Sequence, residues 1–104
     1  MEISRIKQQL ARVEQSIEVA REMCERNTQK QICASLRVLI RESSQIKYSL
    51  ADTPHDEVFR NYGDHLRDTG EFLIRSSERL QHKDTRSALV RLHDELFVLA
   101  DYLQ

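Results

Sequence analysis

Along the first quarter of the chain the apolar positions are Ile3, Ile6, Leu10, Val13, Ile17, Ala20 and Cys24, separated alternately by three and four residues. At about 3.6 residues per turn this alternation gathers them on one stripe of a helix and leaves the charged residues to the other faces. A helix over residues 2–26 is predicted. Continuing the stripe would place Asn27 and Gln31 in a core, while Thr28 and Gln31 have the spacing of a capping box, so the chain is expected to turn near Asn27. The second stripe is Ile32, Leu36, Leu39, Ser43, Ile46 and Leu50, widened by Cys33 and Ile40, and predicts a helix over 29–51.

The next punctuation is Asp52-Thr53-Pro54-His55-Asp56-Glu57, where Thr53 can cap, Pro54 suits a first helical position and the acids favour a helix N-terminus. The stripe that follows, Phe59, Tyr62, Leu66, Thr69, Leu73, Ser76 and Leu80, predicts a helix over 54–81. Asp84 or Thr85 can cap the last helix, over 85–103, whose stripe is Leu89, Leu92, Leu96, Leu99 and Leu103. Four helices joined by turns too short for crossovers give an all-α fold, an antiparallel up-down-up-down four-helix bundle with a heptad-type core, formed by residues 1–104 as one domain. Residues 27–51 carry four basic residues and one acid, residues 52–82 four basic residues and seven acids, so the second and third helices should attract as neighbours. The rival arrangement is a homodimer in which the narrow stripe of the first helix pairs between chains.

Composition narrows the class further. With two Gly and one Pro in 104 residues there are too few turn formers for a strand-rich sandwich, and two cysteines do not make a disulfide scaffold. Sixteen basic against seventeen acidic residues leave a net charge of -1, so no overall field draws the chain to nucleic acid or to an anionic bilayer. The sequence has no apolar run near a membrane-spanning length, and the amphipathic start Met1-Glu2-Ile3-Ser4-Arg5 lacks the apolar core of a signal peptide, so a cytoplasmic location is expected. There, Cys24 and Cys33 are expected as free thiols. Their near-symmetric placement about the first turn leaves a redox switch as the alternative.

Two patterns are not explained by the stripes alone. Both glycines, Gly63 and Gly70, lie one heptad apart inside the third helix, and Ser77 continues their column. A mid-helix Gly costs about 1 kcal/mol relative to Ala, so something approaches that backbone closely: either a neighbouring helix, through Phe97 or Ile40, or a partner's side chains. The fourth helix bears a second stripe, Val90, His93, Phe97 and Ala100, which either packs on two neighbours or forms an interaction face. Val38, Phe72 and Ile74 also lie off the stripes and would mark a partner surface if they are exposed together.

Chemistry has weaker footholds. The string His65-Leu66-Arg67-Asp68-Thr69-Gly70 resembles the histidine-containing phosphotransfer domains, whose reactive His lies exposed on a bundle helix and is followed by a basic residue and a Gly; the resemblance implies phosphoryl acceptance at His65. It covers six residues and departs from the His-x-Leu-Lys-Gly pattern, with Asp68 in place of the Lys and Gly70 one place late, about 140° around the helix from His65. No Glu has a His three positions later, as di-metal bundles require, and Glu78 with His82 reads as a surface ion pair, so neither a metal nor a cofactor is expected. Lys30, Arg37, Arg41 and Lys47 could touch phosphates, but no aromatic set is interleaved for base stacking. The expected function is therefore non-enzymatic protein–protein interaction, as an adaptor, chaperone-like factor, inhibitor or immunity-type protein, with Gly63, Gly70, Ser77, Val90, His93 and Phe97 as the contact residues. The expected partner is another protein, with self-association possible; phosphotransfer through His65 and nucleic-acid association through the second helix are the alternatives.

Overall fold

The computed structural model describes residues 3–26, 29–51 and 56–104. Four helices follow in chain order: α1 Ile3–Arg26, α2 Lys30–Ala51, α3 Asp56–Ser77 and α4 Lys83–Tyr102. They form the antiparallel up-down-up-down bundle that the four stripes require, 43 Å long and 19 Å across. Among the described residues no helix is long and apolar enough to cross a membrane. The stripe residues are the core: Ile6, Leu10, Val13, Ile17, Leu36, Leu39, Ile46, Phe59, Leu66, Leu73, Leu89, Leu92, Leu96 and Leu99 are all essentially sealed from solvent. Their burial, at about 25 cal/mol per Å2 of apolar surface, is the main term holding the bundle together.

Two helix ends differ from expectation. The heptad through Leu80 predicts α3 to residue 81, but α3 stops at Ser77, whose hydroxyl donates to the Ile74 carbonyl oxygen at 2.7 Å. The Arg79 and Leu80 amides then bond three residues back, to Ser76 and Ser77, which tightens the chain out of α-helical pitch while Leu80 still packs against the core. Glu78 and His82 consequently do not share a helix face. His82 rather than Asp84 or Thr85 is the N-cap of α4: its Nδ1 accepts from the Thr85 amide and lies 2.9 Å from the Thr85 hydroxyl. The amide bond needs Nδ1 as acceptor, so the Thr85 hydroxyl donates to it and, on a neutral ring, the proton sits on Nε2. At the first turn the Gln29 amide reaches back to the Cys24 carbonyl and the Gln29 carbonyl accepts from Cys33 to open α2. Asn27, Thr28, Thr53 and Pro54, singled out as turn and cap residues, lie outside the described residues.

The four interfaces are unequal. α4 is packed extensively against both α3 and α1, α1 less against α2, and α2 least against α3. The α3–α4 approach is made possible by the small column. A Cβ at Gly63 would stand 3.3 Å from the Ala100 carbonyl oxygen, and one at Gly70 would stand 3.0 Å from Cε1 of Phe97. The α1–α4 interface carries a buried polar lock, in which Gln9 Nε2 donates to the Glu95 carbonyl at 2.9 Å and to Glu95 Oε2 at 2.7 Å. The Arg5 guanidinium lies over the Tyr102 ring at 5.4 Å on the same interface. α2 and α3 are neighbours, as their opposite charges predict, yet Lys30, Arg37 and Arg41 point to solvent and leave that seam thin.

Because the Phe97 ring fills the space over Gly70, Gly70→Leu should force the ring out and cost about 3 kcal/mol. Thermal unfolding followed by circular dichroism should show Tm lowered by more than about 10 °C; an unchanged Tm would remove the close-packing account.

Candidate protein-interaction surface

The residues named from sequence fall into two groups. Gly63, Gly70 and Ser77 are buried, and the groups over the glycine positions come from the C-terminal part of the same chain: the Ala100 backbone with the Gln104 side chain at Gly63, and the Phe97 and His93 rings at Gly70. Of the two occupants considered for the column, the neighbouring helix is the one in place, through Phe97 and not Ile40. His93 and Phe97 are half-buried, their rings 4.4 Å apart, with His93 Nδ1 at 2.9 Å from Asp94. Ala100 is buried and only Val90 of that stripe is open to solvent, in a shallow groove with Ile74, Glu78, Lys83 and Arg86. The second stripe of α4 is thus chiefly its α3-facing flank.

The α2–α3 seam is different. Val38 and Val58 stand 43% and 40% exposed on its two sides, around a hollow of about 420 Å3 that Tyr62, Gln45 and Asn61 also line. In this hollow lies Glu42, the sole acid of residues 27–51, with its side chain only 13% exposed. Its Oε1 is 3.9 Å from Nδ1 of His65, and its Oε2 is buried with no hydrogen-bond partner. Burial pushes the Glu42 carboxyl above its ordinary range, and the His65 ring opposes that shift only in part. On the next residue of α2 the Ser43 hydroxyl is buried without a partner as well. Unmet polar groups of this kind cost stability; among the described residues the third is Nε of Arg21, on α1.

His65 itself is 70% exposed. Glu42 sits beside it and Asp64 and Asp68 are exposed on the same side of α3, so an incoming phosphoryl group would meet carboxylates. Gly70 lies under Phe97 and clears no space near His65. On α2, Lys47 leaves the basic face to pair with Glu14 of α1 at 2.8 Å, whereas Lys30, Arg37 and Arg41 remain exposed with Tyr48, 79% exposed, seven residues beyond Arg41. The periodicity put Tyr48 outside every stripe, which is the sequence trace of its exposure.

Cys24 and Cys33 are free thiols that meet across the α1–α2 turn, Cys24 buried and Cys33 half-buried. Burial first, and then the neighbouring Cys33, pushes the Cys24 thiol up to about 11. Among the described residues no three His, Cys, Asp or Glu side chains gather as a metal site would need.

Two outcomes follow from these environments. A raised carboxyl pKa means the folded state prefers Glu42 protonated, so ionised Glu42 costs stability above its folded pKa and nothing below the ordinary value of 4.5. Glu42→Gln should therefore melt higher than wild type at pH 7, and the difference should close as pH falls to about 4; a variant less stable at pH 7 would contradict it. At pH 7.5, a maleimide added to native protein should modify Cys33 well before Cys24, as peptide mass mapping would read, since a thiol near 11 offers almost no thiolate there.

Compared with known proteins, the chain matches no protein-family model, no curated protein and no solved structure.

Proposed function

We propose that the chain acts by binding protein, without catalysis, through the α2–α3 seam. One observation supports this reading above the others: the least filled interface of the bundle has exposed valines on both sides and a partly buried, unsatisfied carboxylate between them. Single exposed apolar residues are ordinary on protein surfaces. Val38 and Val58 differ in flanking one hollow, next to an acid that has one oxygen buried and unpaired. A partner that covered the hollow would remove the valines from water and could supply a donor to Glu42. The α4 stripe retains only Val90 as free apolar surface, and its larger members are already used in folding.

The test compares capture of partners by tagged wild type, Val58→Glu and Val90→Glu, each checked for helicity. Both substituted positions are exposed, so the fold should tolerate either charge. A protein retained by wild type and Val90→Glu but lost by Val58→Glu supports the seam. Loss with Val90→Glu alone moves the surface to α4, and retention by both variants ends the seam reading.

A further inference from the structure

From the charges that rim the same seam we infer that its occupant is a second copy of this chain, related by a two-fold axis parallel to the bundle, so that α2 of each protomer lies antiparallel on α3 of the other. This rests on the seam being the binding surface and names its partner. The outer face of α2 presents Lys30, Arg37 and Arg41, all exposed, and among the described residues none of the three has a carboxylate within ion-pair distance. The outer face of α3 presents Glu57, Asp64, Asp68 and Glu71, also exposed, with the exposed Arg60 and Arg75 towards its two ends. Of the cations, Arg41 lines the hollow with Val38 and Val58, whereas Lys30 and Arg37 line a second hollow towards α1. Over the middle of the seam, α2 thus offers cations and α3 offers acids, which is complementary to itself.

Symmetry and helix register decide how. A two-fold axis across the helices would set α2 against α2 and α3 against α3, bringing like charges together at both banks. An axis along the helices sets α2 against the partner's α3 at an unchanged height. Within one chain, height is calibrated by the Glu42–His65 contact, which brings α2 position 42 level with α3 position 65. In antiparallel helices Arg41 is then level with the stretch between Asp64 and Asp68, and Arg37 with the stretch between Asp68 and Glu71. The same two-fold repeats these pairings on the other bank, so every pair is made twice. Lys30 is level with Ser77, next to Arg75, and takes no part in these pairings; Arg75 does not face Arg37 or Arg41. At the centre, Val38 and the half-buried Phe72 meet their symmetry mates, and the hollow around Glu42 is closed.

Size is compatible with this assignment. One side of the bundle measures 43 by 19 Å, about 800 Å2, the area each partner buries in a standard stable interface. Apolar exposure is concentrated at the centre and charge at the banks, the usual distribution of such an interface.

Charge reversal tests both the partner and the geometry. Sedimentation equilibrium should give wild type a mass of twice 12.3 kDa at high concentration, dissociating on dilution. Arg41→Glu and Asp68→Arg, each folded by circular dichroism, should each weaken self-association by about tenfold or more, because each places like charges opposite one another on both banks. An equimolar mixture of the two variants should recover the wild-type affinity: one bank pairs the two reversed side chains and the other the two native ones. A wild type that stays at 12.3 kDa throughout overturns the second copy while leaving the seam to its own capture test. Variants that dimerise as tightly as wild type, or a mixture no tighter than its components, overturn the pairing. Tightening by either single reversal would instead select the axis across the helices.

Discussion

The approach of α4 to α3 over Gly63 and Gly70 is the constraint on which the rest of the bundle depends. With no Cβ on that column, the Ala100 backbone and the Phe97 ring reach the surface of α3, and two residues that weaken α3 as an isolated helix are offset by packing that larger residues would forbid. α4 is simultaneously fixed to α1, where Gln9 donates to both the backbone and the side chain of Glu95 and Arg5 covers Tyr102. The first and last helices and α3 thus form a well-joined set around α4. α2 is held chiefly by its apolar stripe and by α1, with Lys47 reaching Glu14, and approaches α3 least.

Buried polar groups are unequally satisfied. Gln9 is almost completely buried yet satisfied, so its amide specifies the α1–α4 register without leaving an unmet bond. Thr85 is fully buried and serves the His82 cap. On α2, by contrast, the Ser43 hydroxyl and one Glu42 oxygen are buried with no partner, as is Arg21 Nε on α1. At the α2–α3 seam the exposed Val38 and Val58 beside Glu42 remain in water. A carboxylate in such a place is costly to folding.

Charge has two separable roles. The excess of cations on α2 and of acids on α3 is consistent with their adjacency, but the cations are carried on the outer face of α2, so the attraction acts through solvent and contributes little to stability. The same segregation gives the middle of the seam a direction, cationic on α2 and acidic on α3. Net charge, being nearly zero, hides this segregation.

The heptad stripes by themselves determined four helices, their order and nearly every core residue, because one period of three and four residues fixes both the helix and its buried face. Local patterns failed where tertiary bonds compete with them. Leu80 continues the α3 stripe, but the back-bond of Ser77 and the tightened turn end the helix, and His82 caps α4 because Thr85 is buried beside its ring. The small column announced a close approach; that Phe97 fills it is a consequence of how α4 is rotated, which depends on the simultaneous packing of α4 on α1 and α3. The sequence showed Glu42 as the sole acid in a cationic segment, yet only the assembled bundle buries one of its oxygens, sets the other beside His65 and exposes the valines around it. Periodicity specifies which face of each helix turns inward, whereas the spacing between neighbouring helices is set by all their contacts at once, and it is this spacing that leaves the seam open.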